Sequence, residues 1–181
     1  MTASLAETFP NLSRAAAWRP IQARFEFRET PPLEALIGNV NLAPYLGEQW
    51  VVIGLQSGEW EIPGGTLEPG EHYLDTLRRE LWEEVGAILL SFKTIGAWRC
   101  HSTAPKPYRP HLPHPDFYRL AGYGEIELVS RPQNPRGGEQ VKVVEPLPLA
   151  TVMQRFRSIN RPDLAELYQL AALPREKEAR G

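Results

Sequence analysis

The sequence predicts a single domain of the α/β class. Strand-like segments recur along the chain, most clearly at residues 49–56, where apolar residues run together between polar ones. One amphipathic helix is predicted from about His72 to Val85, and two shorter helices are predicted near the end of the chain. A length of 181 residues fits one domain of ordinary size and is sufficient to bury a core.

The predicted elements follow one another without an internal repeat or a second domain boundary. Residues 1–23 are interpreted as an N-terminal extension, partly helical from Leu12 to Trp18, and residues 174–181 as a charged tail. The domain between them is predicted to contain strands at 24–29, 49–56, 59–62, 88–100, 116–121, 125–129 and 141–145, helices at 72–85, 149–156 and 162–173, and loops at 63–70, 102–115 and 131–138.

The composition limits the classes of function. The chain has 20 basic and 22 acidic residues, and this balance argues against binding bulk nucleic acid through a strongly basic surface. Cys100 is the only cysteine, so no intrachain disulfide is expected. We find no signal peptide and no apolar run long enough to span a membrane, and we expect a cytoplasmic protein. A homodimer stays open.

The stretch RRELWEEVG, residues 78–86, places three glutamates on one short helix. On a helical wheel Glu80, Glu83 and Glu84 occupy an arc of roughly 100° beside an apolar stripe. Like charges at this spacing destabilise a helix by about 0.2–0.5 kcal/mol per pair. The patch is therefore either a solvated acidic face or a site for a hard divalent cation. Mg²⁺ and Mn²⁺ prefer such oxygen ligands and often share them with phosphate.

The residues around this helix distinguish the two interpretations. From Gly65 the sequence reads GTLEPGEHYLDTLRRELWEEVGA, with Glu71, Arg79-Glu80, Glu83-Glu84 and Gly86 at fixed intervals. This segment resembles the Nudix box, G-x5-E-x7-R-E-U-x-E-E-x-G-U, at all seven fixed positions. The one departure is Ala87 at the final aliphatic position, where we expect Ile88 to fill the space.

The resemblance implies a fold and a chemistry. The implied fold is an α/β/α sandwich around a mixed β-sheet, and the implied reaction is the hydrolysis of a diphosphate bond in a nucleotide-type substrate with Mg²⁺ or Mn²⁺. The implied metal ligands are Glu80, Glu83, Glu84, the main-chain carbonyl of Gly64 and, more weakly or through water, Glu71. Arg79 is implied to orient Glu80 through a charge-assisted hydrogen bond.

Two further groups are predicted from loops. Members of this family often use another glutamate as general base or metal ligand. We prefer Glu139 for this role because it follows paired glycines, whereas Glu145 lies in a predicted strand. The region from 99 to 119 carries Arg99, Arg109 and Arg119, which we expect to contact substrate. The alternative for this region is a stiff proline-rich connector with solvated charges.

Several alternatives stay open at this point. A diphosphate isomerase on the same fold would need a catalytic cysteine, and Cys100 is the only one available. A non-catalytic nucleotide sensor usually lacks box carboxylates, whereas this box is intact. Among substrates, nucleoside triphosphates, nucleotide sugars, ADP-ribose-like molecules and RNA 5′ ends are not distinguished by the sequence.

Overall fold

The computed structural model describes residues 4–136 and 140–178, and side chains in the last helix as far as Arg175. The helices are α1 (Leu5–Thr8), α2 (Pro10–Ser13), α3 (Tyr73–Glu80), α4 (Leu149–Ser158) and α5 (Pro162–Glu178). A π turn at Leu81–Val85 continues α3, and a 3-10 turn lies at Glu34–Leu36. The strands are β1 (Ala16–Trp18), β2 (Ile21–Phe27), β3 (Ile37–Leu46), β4 (Gln49–Leu55), β5 (Trp60–Glu61), β6 (Gly64–Thr66), β7 (Ala87–Leu89), β8 (Lys93–Ser102), β9 (Asp116–Leu128) and β10 (Val141–Leu147).

The described strands form one mixed sheet with the order β1-β2-β8-β9-β3-β4-β10. Strands β3 and β9 run parallel at its centre, and the other neighbours along this order are antiparallel. Short strands β5, β6 and β7 pair with β4, β3 and β9. The strands therefore bring residues far apart in sequence, such as Asn39 and Arg119, into register.

Each face of the sheet is covered by helices over a separate apolar core. On one face α2, α4 and α5 bury large side chains such as Phe9, Phe156 and Tyr168. On the other face the helix α3 and its π turn bury Leu77 and Leu81 against the sheet. The predicted α/β/α sandwich is confirmed. Among the described residues, no helix is long and apolar enough to cross a membrane.

The local predictions around the acidic helix are confirmed. Strand β4 pairs with β5 as an antiparallel hairpin, with Ile53 opposite Glu61. The helical segment begins after His72 and ends at Gly86, whose φ of 70° is the left-handed conformation that favours glycine.

The expectation that Ile88 fills the space of the last box position is wrong. Ala87 itself is buried and Ile88 is 43% exposed.

Other predicted boundaries differ from the structure because tertiary pairing overrides local sequence preference. Residues Ala16–Trp18 are not helical but pair with β2, and Gly64–Thr66 is not only loop but pairs with β3. The two strands predicted at 116–129 are one continuous strand, β9. Strand β3 was not predicted at all. The last helix continues through residues predicted as tail, to Glu178.

The predicted N-terminal extension packs onto the domain. Phe9 and Leu12 are fully buried in the core beneath α5. The carboxylate of Glu166 on α5 accepts hydrogen bonds from the side chain of Asn11 at 2.6 Å and from the backbone of Leu12 at 2.7 Å. This buried, charge-assisted contact holds the start of the chain against the sheet.

Candidate active site

The helix that carries the three glutamates is positioned by its own sequence. The ring of His72 caps the start of α3 by accepting a hydrogen bond from the backbone of Leu74 at 3.2 Å. One side of the helix is apolar and buried, so the acidic side is turned to the edge of the sheet. The buried apolar residues are Leu77, Leu81 and Val85. Glu83 and Glu84 lie in the π turn, a feature often found at functional sites.

The three glutamates line one cavity of about 940 Å³, which we call the acidic cavity. Its volume lies within the range of roughly 300–1,000 Å³ usual for small-molecule sites. The lining combines these carboxylates with four arginines in addition to Arg79, and the arginines are Arg109, Arg119, Arg136 and Arg161. A cavity with convergent acids and nearby cations suits an anionic ligand that binds together with a divalent cation.

Arg79 joins three of the predicted carboxylates. Its Nη1 donates to Glu80 at 2.8 Å, as the resemblance implied, and lies 3.5 Å from Glu83. Its Nε and Nη2 donate to the two carboxylate oxygens of Glu71 at 2.8 and 3.0 Å. This paired contact is the strongest geometry available to a guanidinium and a carboxylate, and it fixes the orientation of Arg79.

Glu71 therefore lies behind Arg79 rather than at the cavity surface. Its Oε2 also accepts from the hydroxyl of Thr76 at 2.7 Å and from the backbone of Glu68 at 2.8 Å. The hydrogen bonds from Arg79 lower the pKa of Glu71 to about 2. With its carboxylate oxygens engaged in this way, Glu71 is placed to orient Arg79, and a ligand role for it stays a prediction.

Glu80 and Glu84 are the more enclosed carboxylates. Burial raises the pKa of Glu80, and Arg79 opposes that shift. The side chain of Glu80 lies against Gly65, where an added Cβ would be 1.9 Å from Oε1. Glu84 is 7% exposed and accepts a hydrogen bond from the backbone N–H of Gly64 at 3.0 Å. This contact brings the predicted ligand residue Gly64 beside the box helix, while its carbonyl stays a predicted ligand.

The donor chemistry of the site fits a hard divalent cation. Glu80, Glu83 and Glu84 offer carboxylate oxygens to one cavity, and burial of Glu80 disfavours an uncompensated charge. Among the residues that the structure describes, no group of three or more His, Cys, Asp or Glu side chains is already placed around a metal position. Instead, Glu80 contacts Arg79, and Glu84 contacts Gly64.

The predicted basic residues separate into two groups. Arg109 and Arg119 line the acidic cavity, whereas Arg99 lies on β8 and is not among the described residues that line it. Arg109 donates to Glu68 at 2.5 Å, and the ring of His111 contacts the carbonyl of Leu67 at 2.7 Å. These contacts fix the proline-rich loop beside the box.

The two candidate bases are placed differently. Glu139 lies outside the described residues, but Pro135 and Arg136, shortly before it, line the acidic cavity. Glu145 lies on β10 and pairs with Arg155 of α4, whose guanidinium lies 3.9 Å from the ring centre of Trp60. Glu145 therefore has a structural partner, in agreement with its lower rank in the sequence analysis.

The sequence did not indicate several residues of the cavity, among them two asparagines and a tryptophan. Asn39 and Asn41 project from β3, and Trp18 comes from β1 in the N-terminal extension. The alternation of polar and apolar residues in GNVNL, residues 38–42, is a strand signal that could have found both asparagines. No local signal indicated that Trp18 lies near the glutamates, because its position depends on sheet pairing.

Comparison with known proteins identifies the family. A NUDIX domain model matches residues 45–168. The nucleoside triphosphatase NudI of Escherichia coli (strain K12) is 51% identical over 37 residues, 20% of this chain and 26% of that protein. The 8-oxo-dGDP phosphatase NUDT18 of Mus musculus is 38% identical over 69 residues, 32% of this chain and 21% of that protein. The matches therefore span about a quarter of these relatives' lengths.

Solved structures agree with this fold. A variant of the Bacillus subtilis pyrophosphohydrolase BsRppH superposes with a TM-score of 0.54 at 18% identity, covering 72% of this chain and 73% of that one. A NUDIX hydrolase from Nitrosomonas europaea gives 0.52 at 15% identity, covering 73% and 85%. The chain belongs to the Nudix hydrolase family. Members of this family generally use divalent metal ions.

Proposed function

We propose that this protein hydrolyses a diphosphate bond in a nucleotide-type substrate with the help of Mg²⁺ or Mn²⁺. The observation that carries the proposal is the placement of Glu80, Glu83 and Glu84 on one cavity that is also lined by Arg109 and Arg119. Carboxylates would hold the cation, and Arg109 would bind phosphate oxygens in a bidentate manner. The names of the relatives, a nucleoside triphosphatase and an 8-oxo-dGDP phosphatase, favour nucleoside tri- or diphosphates as substrates.

The residues of the chain have distinct roles in this proposal. A bound divalent cation neutralises phosphate charge and lowers the pKa of a bound water. Arg79, itself fixed by Glu71, keeps the carboxylate of Glu80 turned into the cavity. Glu84 closes the inner end of the site against the backbone of Gly64. Glu80 and Glu139 are the two candidates for the general base.

The environment of Cys100 argues against the isomerase alternative. That reaction would require a cysteine at the substrate, but Cys100 is 1% exposed and packs in the core beneath α4 and α5. Burial also raises the pKa of its thiol to about 11, so the reactive thiolate is scarce near neutral pH. The sensor alternative is disfavoured because every fixed position of the box is present.

A substrate screen tests the proposed function. Nucleoside tri- and diphosphates, nucleotide sugars and ADP-ribose are incubated with Mg²⁺, and the release of phosphate, pyrophosphate or nucleoside monophosphate is measured. We expect hydrolysis that stops in EDTA and returns when Mg²⁺ or Mn²⁺ is added. Full hydrolysis in metal-free buffer would contradict the metal role.

A matched pair of variants tests the role of the box. Glu83 lines the cavity, whereas Glu127 is an exposed glutamate on β9 outside it. We expect Glu83→Gln to lower kcat by at least about 100-fold with little change in Tm, since even changes to groups that only support a metal ligand cost about 10–100-fold. Glu127→Gln should change neither. If Glu83→Gln keeps its activity and loses stability, the acidic patch is structural.

The cellular location and the oligomeric state are expectations of the same proposal. A cytoplasmic nucleotide hydrolase would meet its substrates in a reducing compartment, which agrees with a single buried thiol. We retain this location and the monomer or homodimer alternatives as predictions.

A further inference from the structure

The lining of the acidic cavity includes an aromatic residue from outside the matched family region. Trp18 lies on β1 and lines the cavity, whereas the NUDIX model begins at residue 45. The ring of Trp98 meets that of Trp18 edge-on, with centres 6.0 Å apart. The segment before Trp18 is held by the buried contacts of Leu12 with Glu166. These contacts hold Trp18 in its position in the cavity lining.

Arg119 places a second flat group over the ring of Trp18. Its guanidinium carbon lies 5.0 Å from the centre of the Trp18 ring, within the range of a cation–π contact. The Nε of Arg119 donates to the side-chain oxygen of Asn39 at 3.2 Å. Asn39 and Arg119 are paired across the two central strands, and a site built on strands is held more precisely than one built on loops.

The two asparagines present hydrogen-bonding groups next to these flat surfaces. The Nδ2 of Asn41 donates to the Oδ1 of Asn39 at 2.7 Å. Within the described residues, the Nδ2 of Asn39 and the Oδ1 of Asn41 have no hydrogen-bond partner in the protein, and both side chains line the cavity. Asn41 is only 7% exposed as a residue, and because no fully buried side-chain polar atom of the described residues lacks a partner, its unpaired oxygen is accessible to solvent.

We propose that Trp18 and Arg119 form the platform for the planar base of a nucleotide substrate, and that Asn39 and Asn41 bind the edge of that base. A flat aromatic ring and a guanidinium plane stack well on heteroaromatic rings. One amide donor and one amide acceptor side by side match the adjacent acceptor and donor on the edge of a nucleobase. The proposal deepens the proposed function, on which it rests, by assigning the part of the site that selects nucleotides.

The test compares substrates that differ only in the base. For the wild type and each variant, kcat/KM is measured for a nucleoside triphosphate and for ribose 5-triphosphate, which keeps the sugar and the phosphates. We expect Trp18→Ala to lower the value for the nucleotide by about 5- to 150-fold, the range for loss of a base-stacking aromatic, and to leave ribose 5-triphosphate within about twofold. Trp18→Phe should recover most of the loss.

Two controls make the result specific. The ratio of the two substrates within one variant is independent of the fraction of folded enzyme, so partial unfolding cannot imitate the effect. Tyr108 is an 86% exposed aromatic that lines the same cavity from the proline-rich loop, and the proposal gives it no base-selective effect. A base-selective loss in Tyr108→Ala with none in Trp18→Ala would overturn the proposal.

A binding measurement separates this proposal from the proposed function. Calorimetry compares nucleoside monophosphate with ribose 5-phosphate and requires no hydrolysis. We expect the wild type to bind the nucleotide more tightly, and both Trp18→Ala and Asn41→Ala to remove most of that difference. Equal binding of the two ligands by the wild type, or an equal loss for both ligands in the variants, would refute the base platform. Absence of hydrolysis with intact base-selective binding would refute only the proposed function.

Discussion

Two adjacent glycines that line the acidic cavity should differ in how strongly the same substitution lowers stability. A Cβ added to Gly65 would lie 1.9 Å from Oε1 and 2.3 Å from Cδ of Glu80, the far end of a flexible side chain. A Cβ added to Gly64 would lie 2.2 Å from the carbonyl oxygen of Val40 and 2.7 Å from Cα of Asn41, which are backbone atoms of β3. Gly64 also has a φ of 149°, where side chains are strained.

The cost of Gly65→Ala to stability should be small. Glu80 can rotate away from the new methyl group, but it then loses its 2.8 Å hydrogen bond with Arg79. A hydrogen bond between charged groups contributes about 1.5–3 kcal/mol to the free energy of unfolding. Arg79 keeps both bonds to Glu71, and replacing glycine by alanine recovers about 0.4–1 kcal/mol through the unfolded chain. A net loss of about 0.5–2.6 kcal/mol lowers Tm by only about 1–10 °C for a chain of this length.

Gly64→Ala should instead damage the fold. The strained φ costs about 1–3 kcal/mol. Relief of the backbone clash moves β6 away from β3 and breaks the hydrogen bond from Gly64 to Glu84, which adds about 1.5–3 kcal/mol. A total of about 3–6 kcal/mol is comparable with the whole stability of many domains, about 5–15 kcal/mol. We expect Tm to fall by about 6–24 °C.

Thermal melting and kinetics of both variants check this contrast. Gly65→Ala should fold and bind nucleotide, yet lose at least about 100-fold in kcat because Glu80 no longer faces the cavity. Wild-type kcat in Gly65→Ala would show that the observed position of Glu80 is not needed for catalysis. Equal losses of Tm in the two variants would show that the new methyl group at position 65 displaces the backbone rather than the side chain of Glu80.

Two further predictions follow from buried or paired groups. Cys100 is buried and its thiol pKa is raised to about 11, so Ellman's reagent at a pH of about 8 should label the unfolded chain but not the folded one. Stoichiometric labelling of the folded protein would contradict this placement. Glu139→Gln should lower kcat strongly with little change in KM. Glu145→Gln weakens a contact with Arg155, so it should lower the free energy of unfolding by about 1 kcal/mol and leave steady-state kinetics unchanged. The reverse kinetic ranking would move the base role to Glu145.

The sequence determined the features that depend on neighbouring residues. The spacing of Leu77, Leu81 and Val85 fixes which side of the helix is buried, and this places Glu80, Glu83 and Glu84 together without reference to the rest of the chain. Gly86 ends the helical segment because of its own backbone freedom. The hydrogen bond from Arg79 to Glu80 was implied by the resemblance of the segment to the Nudix box.

The tertiary structure decided the features that depend on pairing between distant segments. Strand β3 contains glycine, proline and two asparagines, so local preference is weak, and it forms because β9, about 80 residues later, supplies a parallel partner. That pairing brings Asn39 beside Arg119, and both residues line the cavity that the glutamates line. Trp18 reaches the site only through β1 and β2. The sequence alone thus determined the acidic part of the site, because helix geometry is local. The sheet decided the part formed by Trp18, Asn39 and Arg119, because strand pairing joins residues that the sequence keeps far apart.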